Sequence, residues 1–207
     1  EAWTTQVSSS ESSTVTHWTT YNTWVHFSGT HHTQKVTTTS TSTLYSYTVK
    51  ADHQVGTSFL SGTNTIVIKS GKSVLLGGAV NAQGGSVSLI AGNNILNQSG
   101  AAAITGASNL TLKAATGSIG SEGSAIKWTA AGSSDKQLNL TATAGKSIYI
   151  DAKNLNSGAA VSGSLNAGET VSAEFRGGVD LNSLSGQKLS LVSQEGGINI
   201  KIGRAHV

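Results

Sequence analysis

The chain has 207 residues and a formal net charge of +3, from 13 Lys and Arg against 10 Asp and Glu, and it contains no Pro, Cys or Met. Without cysteine there is neither a disulfide framework nor a thiolate metal site, and the cations are scattered singly rather than clustered as a nucleic-acid surface requires. No apolar run approaches the ~20 residues that cross a bilayer as a helix, and the missing proline suits a chain spent mostly in hydrogen-bonded strands.

Residues 1–60 are expected to form an extended, strand-rich segment. They hold eight of the eleven aromatics, five of the six histidines and sixteen threonines, but only Gly29 and Gly56 of the 25 glycines. The chain opens with neither Met nor a signal peptide, so it is expected to be an internal piece of a longer protein. His17, His26, His31 and His32 lie close together and imidazoles bind metals. However, His31 and His32 point to opposite faces of an extended strand, and no carboxylate lies between Glu11 and Asp52. Solvent-facing strand histidines are the simpler reading, and no metal or other cofactor is assigned. Thr37, Thr39, Thr41 and Thr43 would share one strand face, which is also the ordinary use of threonine on a solvated strand. The aromatics carry more. Trp18, Tyr21, Trp24, Tyr45 and Tyr47 are the candidate ligand surface, since exposed rings stack on sugars or partner proteins. The competing reading has them sealing the end of a core.

From residue 61 the composition turns to Gly, Ser, Ala and Asn with regularly placed aliphatics, and a two-pair unit recurs. The pairs are Ile66/Ile68 with Val74/Leu76, Val87/Leu89 with Ile95, Leu110/Leu112 with Ile119, Leu138/Leu140 with Ile148/Ile150, Val171/Ala173 with Val179/Leu181, and Leu189/Leu191 with Ile198/Ile200. Residues i and i+2 of a strand share a face, so each pair is a short strand with two aliphatics inward, and a glycine before the second pair permits a corner. The first members are 21, 23, 28, 33 and 18 residues apart. A fixed inner spacing with an elastic outer one describes the rungs of a coil, each unable to bury its apolar face alone. The predicted fold is therefore all-β, a parallel β-helix over residues 61–201 with about six rungs. The long gaps before Leu138 and Val171 are expected as bulged turns, among them "NLNSGAAVSGSLNAGE" at 154–169. Residues 202–207, "IGRAHV", are the peptide encoded by read-through into common sequencing-adapter DNA and are expected to be an adapter-derived tail.

Other chemistry is thin. Asp151 and Asp180 are isolated acids that do not stack in the predicted register, and the spacing in "GGVDLNSLSG" is wrong for a nonapeptide calcium repeat. "SGKS" at 70–73 lacks the glycine of a phosphate loop, because position 66 is Ile66. No G-x-S-x-G elbow is present.

The stretches "GNNILNQSGAAAITGASNLTLKAATGSIGSEGSAI" and "LNLTATAGKSIYIDA", with the lead-in "VTHWTTYNTWVHFSGTHHTQKVTTTSTSTLYSYTVKADH", resemble the repeats of filamentous-haemagglutinin-like large bacterial exoproteins. The resemblance covers roughly residues 10–201 in style and rests on degenerate motifs. It implies a right-handed β-helical fibre exported through an outer-membrane transporter, often by two-partner secretion. Such a fibre is secreted or displayed on the cell surface, acts in adhesion or biofilm formation, and meets glycans or proteins of host or neighbouring cells. The secretion-domain motifs of that family are not visible in this chain. Three functions stay open on the residues: a structural fibre segment without catalysis, a carbohydrate- or protein-binding module using the N-terminal aromatics, and a β-helical polysaccharide-degrading enzyme. The last calls for acids and bases stacked across neighbouring rungs, which the predicted register does not supply. The first is the preferred expectation.

Overall fold

A computed structural model describes residues 65–82, 84–98, 100, 103–129 and 137–201, together with the backbone of five short strands before them. Those five are β1 (Thr5–Ser8), β2 (Thr33–Val36), β3 (Tyr45–Val49), β4 (Gln54–Thr57) and β5 (Leu60–Ser61). Next come β6 (Thr65–Ser70), β7 (Val74–Leu76), β8 (Val80–Asn81), β9 (Ser86–Ala91), β10 (Ile95–Asn97), β11 (Ala103–Thr105), β12 (Asn109–Ala114) and β13 (Ile126–Thr129). The series closes with β14 (Gln137–Ala144), β15 (Ile148–Ala152), β16 (Ala160–Ala167), β17 (Thr170–Phe175), β18 (Gly178–Ser185), β19 (Lys188–Ser193) and β20 (Ile198–Ile200). Among the described residues there is no helix, hence none long and apolar enough to cross a membrane.

The strands stack into three sheets. The first runs β1-β3-β6-β9-β12-β14-β16-β18-β20, the second β10-β7-β4-β2, and the third β19-β17-β15-β13-β11-β8-β5. Only β1 against β3 is antiparallel among these ladders; from β3 onward each strand lies parallel to its counterpart one turn later. The expected parallel β-solenoid is what forms.

Its interior is a set of apolar columns. On the first sheet Ile66, Val87, Leu110, Leu140, Gly163, Leu181 and Ile200 stand in one register column. Beside it run Ile68, Leu89, Leu112, Ala142, Leu165 and Leu184. Across the core Val74, Ile95, Ile119, Ile148, Val171 and Leu189 face them. The period-2 burial of β14, alternately exposed and buried through all eight residues, shows why the i, i+2 spacing was readable.

Three expectations need correcting. First, "NLNSGAAVSGSLNAGE" is no bulged turn: it contains β16, an interior strand of the first sheet with Val161 and Leu165 fully buried. Second, missing that strand reversed the order of the last two units. Val171/Ala173 and Leu189/Leu191 belong to the third sheet, while Val179/Leu181 and Ile198/Ile200 continue the first. Third, the early rungs have a third apolar side, on which Val80, Ile104 and Trp128 stack in register. The gap before Leu138 is likewise no single bulged turn, since it contains the 120–125 corner and the inward strand β13 with Ile126 and Trp128 buried; its residues 130–136, and the 202–207 tail, lie outside the described residues.

Among the described residues Trp128 is the largest buried side chain, and it is fully excluded from solvent. Its indole Nε1 donates to the Ala107 carbonyl at 3.1 Å inside the core. Trp128→Ala is expected to cost roughly 3–5 kcal/mol, as for other buried aromatics cut back to a methyl. Trp128→Phe should recover most but not all of that in a denaturant titration, because the Ala107 carbonyl loses its donor.

Candidate functional site

The cross-section of the solenoid changes along its axis, and that change carves a concave feature into the outer surface. In the β12–β13 rung, Ile119 and Ile126 both point inward, and residues 120–125 between them turn the corner from one side to the next. One rung later Ile148 stacks on Ile119 and Ile150 on Ile126. The corner 120–125 has therefore been replaced by the single residue Tyr149, and two sides merge into the straight strand β15. The last corner is left standing as a wall beside the flat outer face of β15, β17 and β19.

That wall is tied down. Ser121 and Ser124 exchange backbone hydrogen bonds at 3.1 and 3.0 Å. The Ser124 hydroxyl donates to the Asn97 carbonyl at 2.7 Å, and the Asn97 side-chain amide donates to the Ala125 carbonyl at 3.1 Å. Gly120 begins the turn with φ +69°, and a Cβ there would lie 2.6 Å from the Tyr149 carbonyl oxygen. Gly120→Ala therefore combines a left-handed backbone with a backbone clash. It is expected to lower stability by roughly 1–3 kcal/mol and to expose the Ser121 and Ser124 amides to hydrogen exchange; wild-type exchange there would show that the turn does not depend on Gly120.

Wall and face enclose a trough of about 410 Å³. Glu122, Gly123, Ser124 and Ala125 form one side. Outward residues alternate with buried ones along β15 and β17, so Tyr149, Ser172 and Ser190 make one cross-strand row on the floor. Lys127, Asp151, Glu174 and Val192 make the next. Lys153 links the acids: its ammonium is 3.7 Å from Asp151 Oδ2 and 3.2 Å from Glu174 Oε2. The hydrogen bond to Glu174, and then the charges of Asp151 and Glu174, hold its pKa above the ordinary 10.5. Glu174 also accepts from Gln194 Nε2 at 3.2 Å, and Asp151 Oδ1 from the Lys153 backbone N–H at 3.2 Å.

The acids and bases that the predicted register did not supply are thus present, stacked on adjacent rungs. Asp151 lies inside β15, directly opposite Glu174, whereas Asp180 is on β18 of the first sheet and pairs with Lys201 at 3.7 Å. Sequence reasoning passed over Lys127, Tyr149, Lys153 and Glu174 because only the turn-to-turn register unites them. Among the described residues no group of three or more His, Asp or Glu side chains could hold a metal ion. Of the candidate ligand surface, Trp18, Tyr21 and Trp24 lie outside the described residues, as do His17, His26, His31, His32 and the 37–43 threonines. Tyr45 and Tyr47 belong to β3, paired with Ile66 and Val7 respectively, and their side chains are likewise outside what is described.

A second ion pair lies just beyond the trough. Arg176 Nε meets Glu195 Oε1 at 2.8 Å, and the Ser157 hydroxyl donates to Glu195 Oε2 at 3.0 Å. The Arg176 hydrogen bond, followed by that of Ser157, lowers the Glu195 pKa below 4.5. A depressed carboxyl pKa gives stability that is present above the unfolded value and lost as pH falls through the folded one. Glu195→Gln should therefore lower the melting temperature slightly at neutral pH and match wild type once the pH has fallen through the folded pKa, which leaves a shallower acid limb; a melting temperature equal to wild type at neutral pH would show the pair to be inconsequential.

Fold and site together define a parallel β-solenoid with a polar trough on its outer face. No family model matches the chain, and neither the curated proteins nor the solved structures contain a match.

Proposed function

We propose that the chain is a structural segment of a secreted or surface-displayed bacterial adhesin fibre, with no catalysis of its own. One observation carries this reading: the same apolar columns repeat from turn to turn, Ile66, Val87, Leu110 and Leu140 on the first sheet and Ile95, Ile119, Ile148 and Val171 across from them. Each rung is supported by its neighbours, and a stack of that kind makes a stiff rod. The outer face suits a hydrated rod, since cross-strand hydrogen bonds join Asn139 to Asn109 at 2.9 Å and Ser162 to Asn139 at 2.8 Å. Export by an outer-membrane transporter and attachment to glycans or proteins of other cells complete the reading.

The polysaccharide-degrading alternative has the stacked Asp151 and Glu174 in its favour. Against it, both carboxylates are ion-paired with Lys153, at 3.7 and 3.2 Å, whereas glycoside hydrolysis needs two carboxyl groups free to meet the substrate. The deciding experiment labels intact source cells with an antibody raised against the chain, and compares their attachment with that of cells whose gene is disrupted. Surface labelling together with lost attachment is expected. Antigen confined to the cell interior, or attachment unchanged by the disruption, would overturn the proposal.

A further inference from the structure

We infer that the trough between the 120–125 turn and the outer face of β15, β17 and β19 is a binding site for an uncharged oligosaccharide. The inference is independent of the fibre reading, because it rests on the trough alone.

The shape comes first. The wall is fixed by Asn97, Ser121 and Ser124, so the trough exists before any ligand arrives and little ordering entropy opposes binding. It runs across the strands, along the solenoid axis, and its floor changes residue once per rung, from Tyr149 to Ser172 to Ser190. Neighbouring strands are about 4.8 Å apart, close to the length by which one pyranose ring advances an extended chain. A sugar polymer lying in the trough would thus place successive rings over successive rungs. The volume of about 410 Å³ is within the range of small-molecule sites and accommodates a short stretch of such a chain.

Chemistry narrows the class. Tyr149 offers an aromatic ring, which packs on the C–H face of a pyranose, and its hydroxyl adds hydrogen-bonding capacity. Ser172 and Ser190 keep the floor shallow and polar. Asp151 and Glu174 sit in register with Lys127, and Lys153 bridges the two acids. Ionised carboxylates accept from hydroxyls in several directions, and hydrogen bonds to a charged group are roughly twice as strong as neutral ones. Three carboxylates, of Glu122, Asp151 and Glu174, face two ammonium groups, of Lys127 and Lys153. That balance gives a polyanion such as a sulfated glycan no net attraction. Beyond the Tyr149 ring, the exposed apolar surface among the described lining residues is that of Val192 and Ala125, so a hydrophobic ligand would find little to bury. A hydroxyl-rich chain without charge uses every group present.

The test uses the full chain in isothermal titration against neutral hexasaccharides of glucose, xylose, mannose and N-acetylglucosamine, with hexagalacturonate and a heparin hexasaccharide as charged comparators. At least one neutral hexasaccharide should bind and both charged ones should not. Tyr149→Ala should weaken that binding about tenfold. Ser172→Gln, which fills the floor from an outward position, should weaken it as much while the thermal melt stays at the wild-type value. If Tyr149→Ala proves unstable, Ser172→Gln decides alone. The inference is overturned if no neutral hexasaccharide binds, if the charged ones bind more tightly, or if binding survives Ser172→Gln unchanged.

Discussion

Leu140→Asp is expected to unfold the middle of the solenoid while the far rungs keep their protection. Leu140 is fully buried, stacked between Leu110 and Gly163 in the first sheet. The buried polar side chains of the described core are Ser70, Ser73, Asn97 and Ser147, none of them a cation, so an inward carboxylate would find no partner. Losing the leucine alone costs about 2–5 kcal/mol, and an unpaired buried charge adds several more. Together these approach the whole margin of a typical domain, about 5–15 kcal/mol. A solenoid rung contacts only its neighbours, so the damage is local. Amide protection should vanish in β12, β14 and β16 and persist at β6. Thr141→Asp puts the same charge one residue along, on the exposed face, and should stay within about 0.5 kcal/mol of wild type. Wild-type protection of β12 and β16 in Leu140→Asp would refute the inward placement.

The contrast between residues 140 and 141 is also why so much of the fold was legible. Where both inward positions of a strand carry Leu, Ile or Val, as at Ile66/Ile68, Val87/Leu89 and Leu110/Leu112, period 2 identifies the strand and its buried face at once. β16 defeats that rule. Its inward column places Val161, Gly163 and Leu165 beside Leu138, Leu140 and Ala142, and a bulge between Gly163 and Ser164 interrupts the alternation against β18. One missed strand then shifts every later pair into the wrong sheet. Trp128 was hidden for a related reason: a lone tryptophan in "AIKWT" carries no repeat, and only its stack on Ile104 and Val80 places it inward.

The trough was illegible in a deeper sense. Lys127, Asp151 and Glu174 form no spacing motif, because they meet through rungs of unequal length, and the wall exists only because residues 120–125 have no counterpart after Ile148. A solenoid encodes its core within each turn and its surface between turns. Periodicity therefore reports the first, while the second awaits the register.

Gly163 is where that register is most exposed to a single change. Its φ is +141°, a conformation L side chains rarely adopt, and a Cβ there would run into the Leu140 carbonyl oxygen while lying 2.8 Å from that carbonyl's carbon. The obstacle is backbone of the adjacent strand, so no rotamer change relieves it. The glycine also makes room in its column, since its neighbours on either side are Leu140 and Leu181. Gly163→Val should therefore force β14 and β16 apart and cost several kcal/mol, with overpacking added to backbone strain. Gly158 supplies the control: its φ is +75°, but a Cβ there meets nothing within 4 Å. Gly158→Ala carries the conformational cost alone, about 1–2 kcal/mol. Urea titrations of the two variants separate the terms. A loss at Gly163→Val no larger than at Gly158→Ala would mean that the β14–β16 ladder yields to a side chain, and the close approach would then not be what fixes the pairing of Leu138 with Val161 and of Ala142 with Leu165.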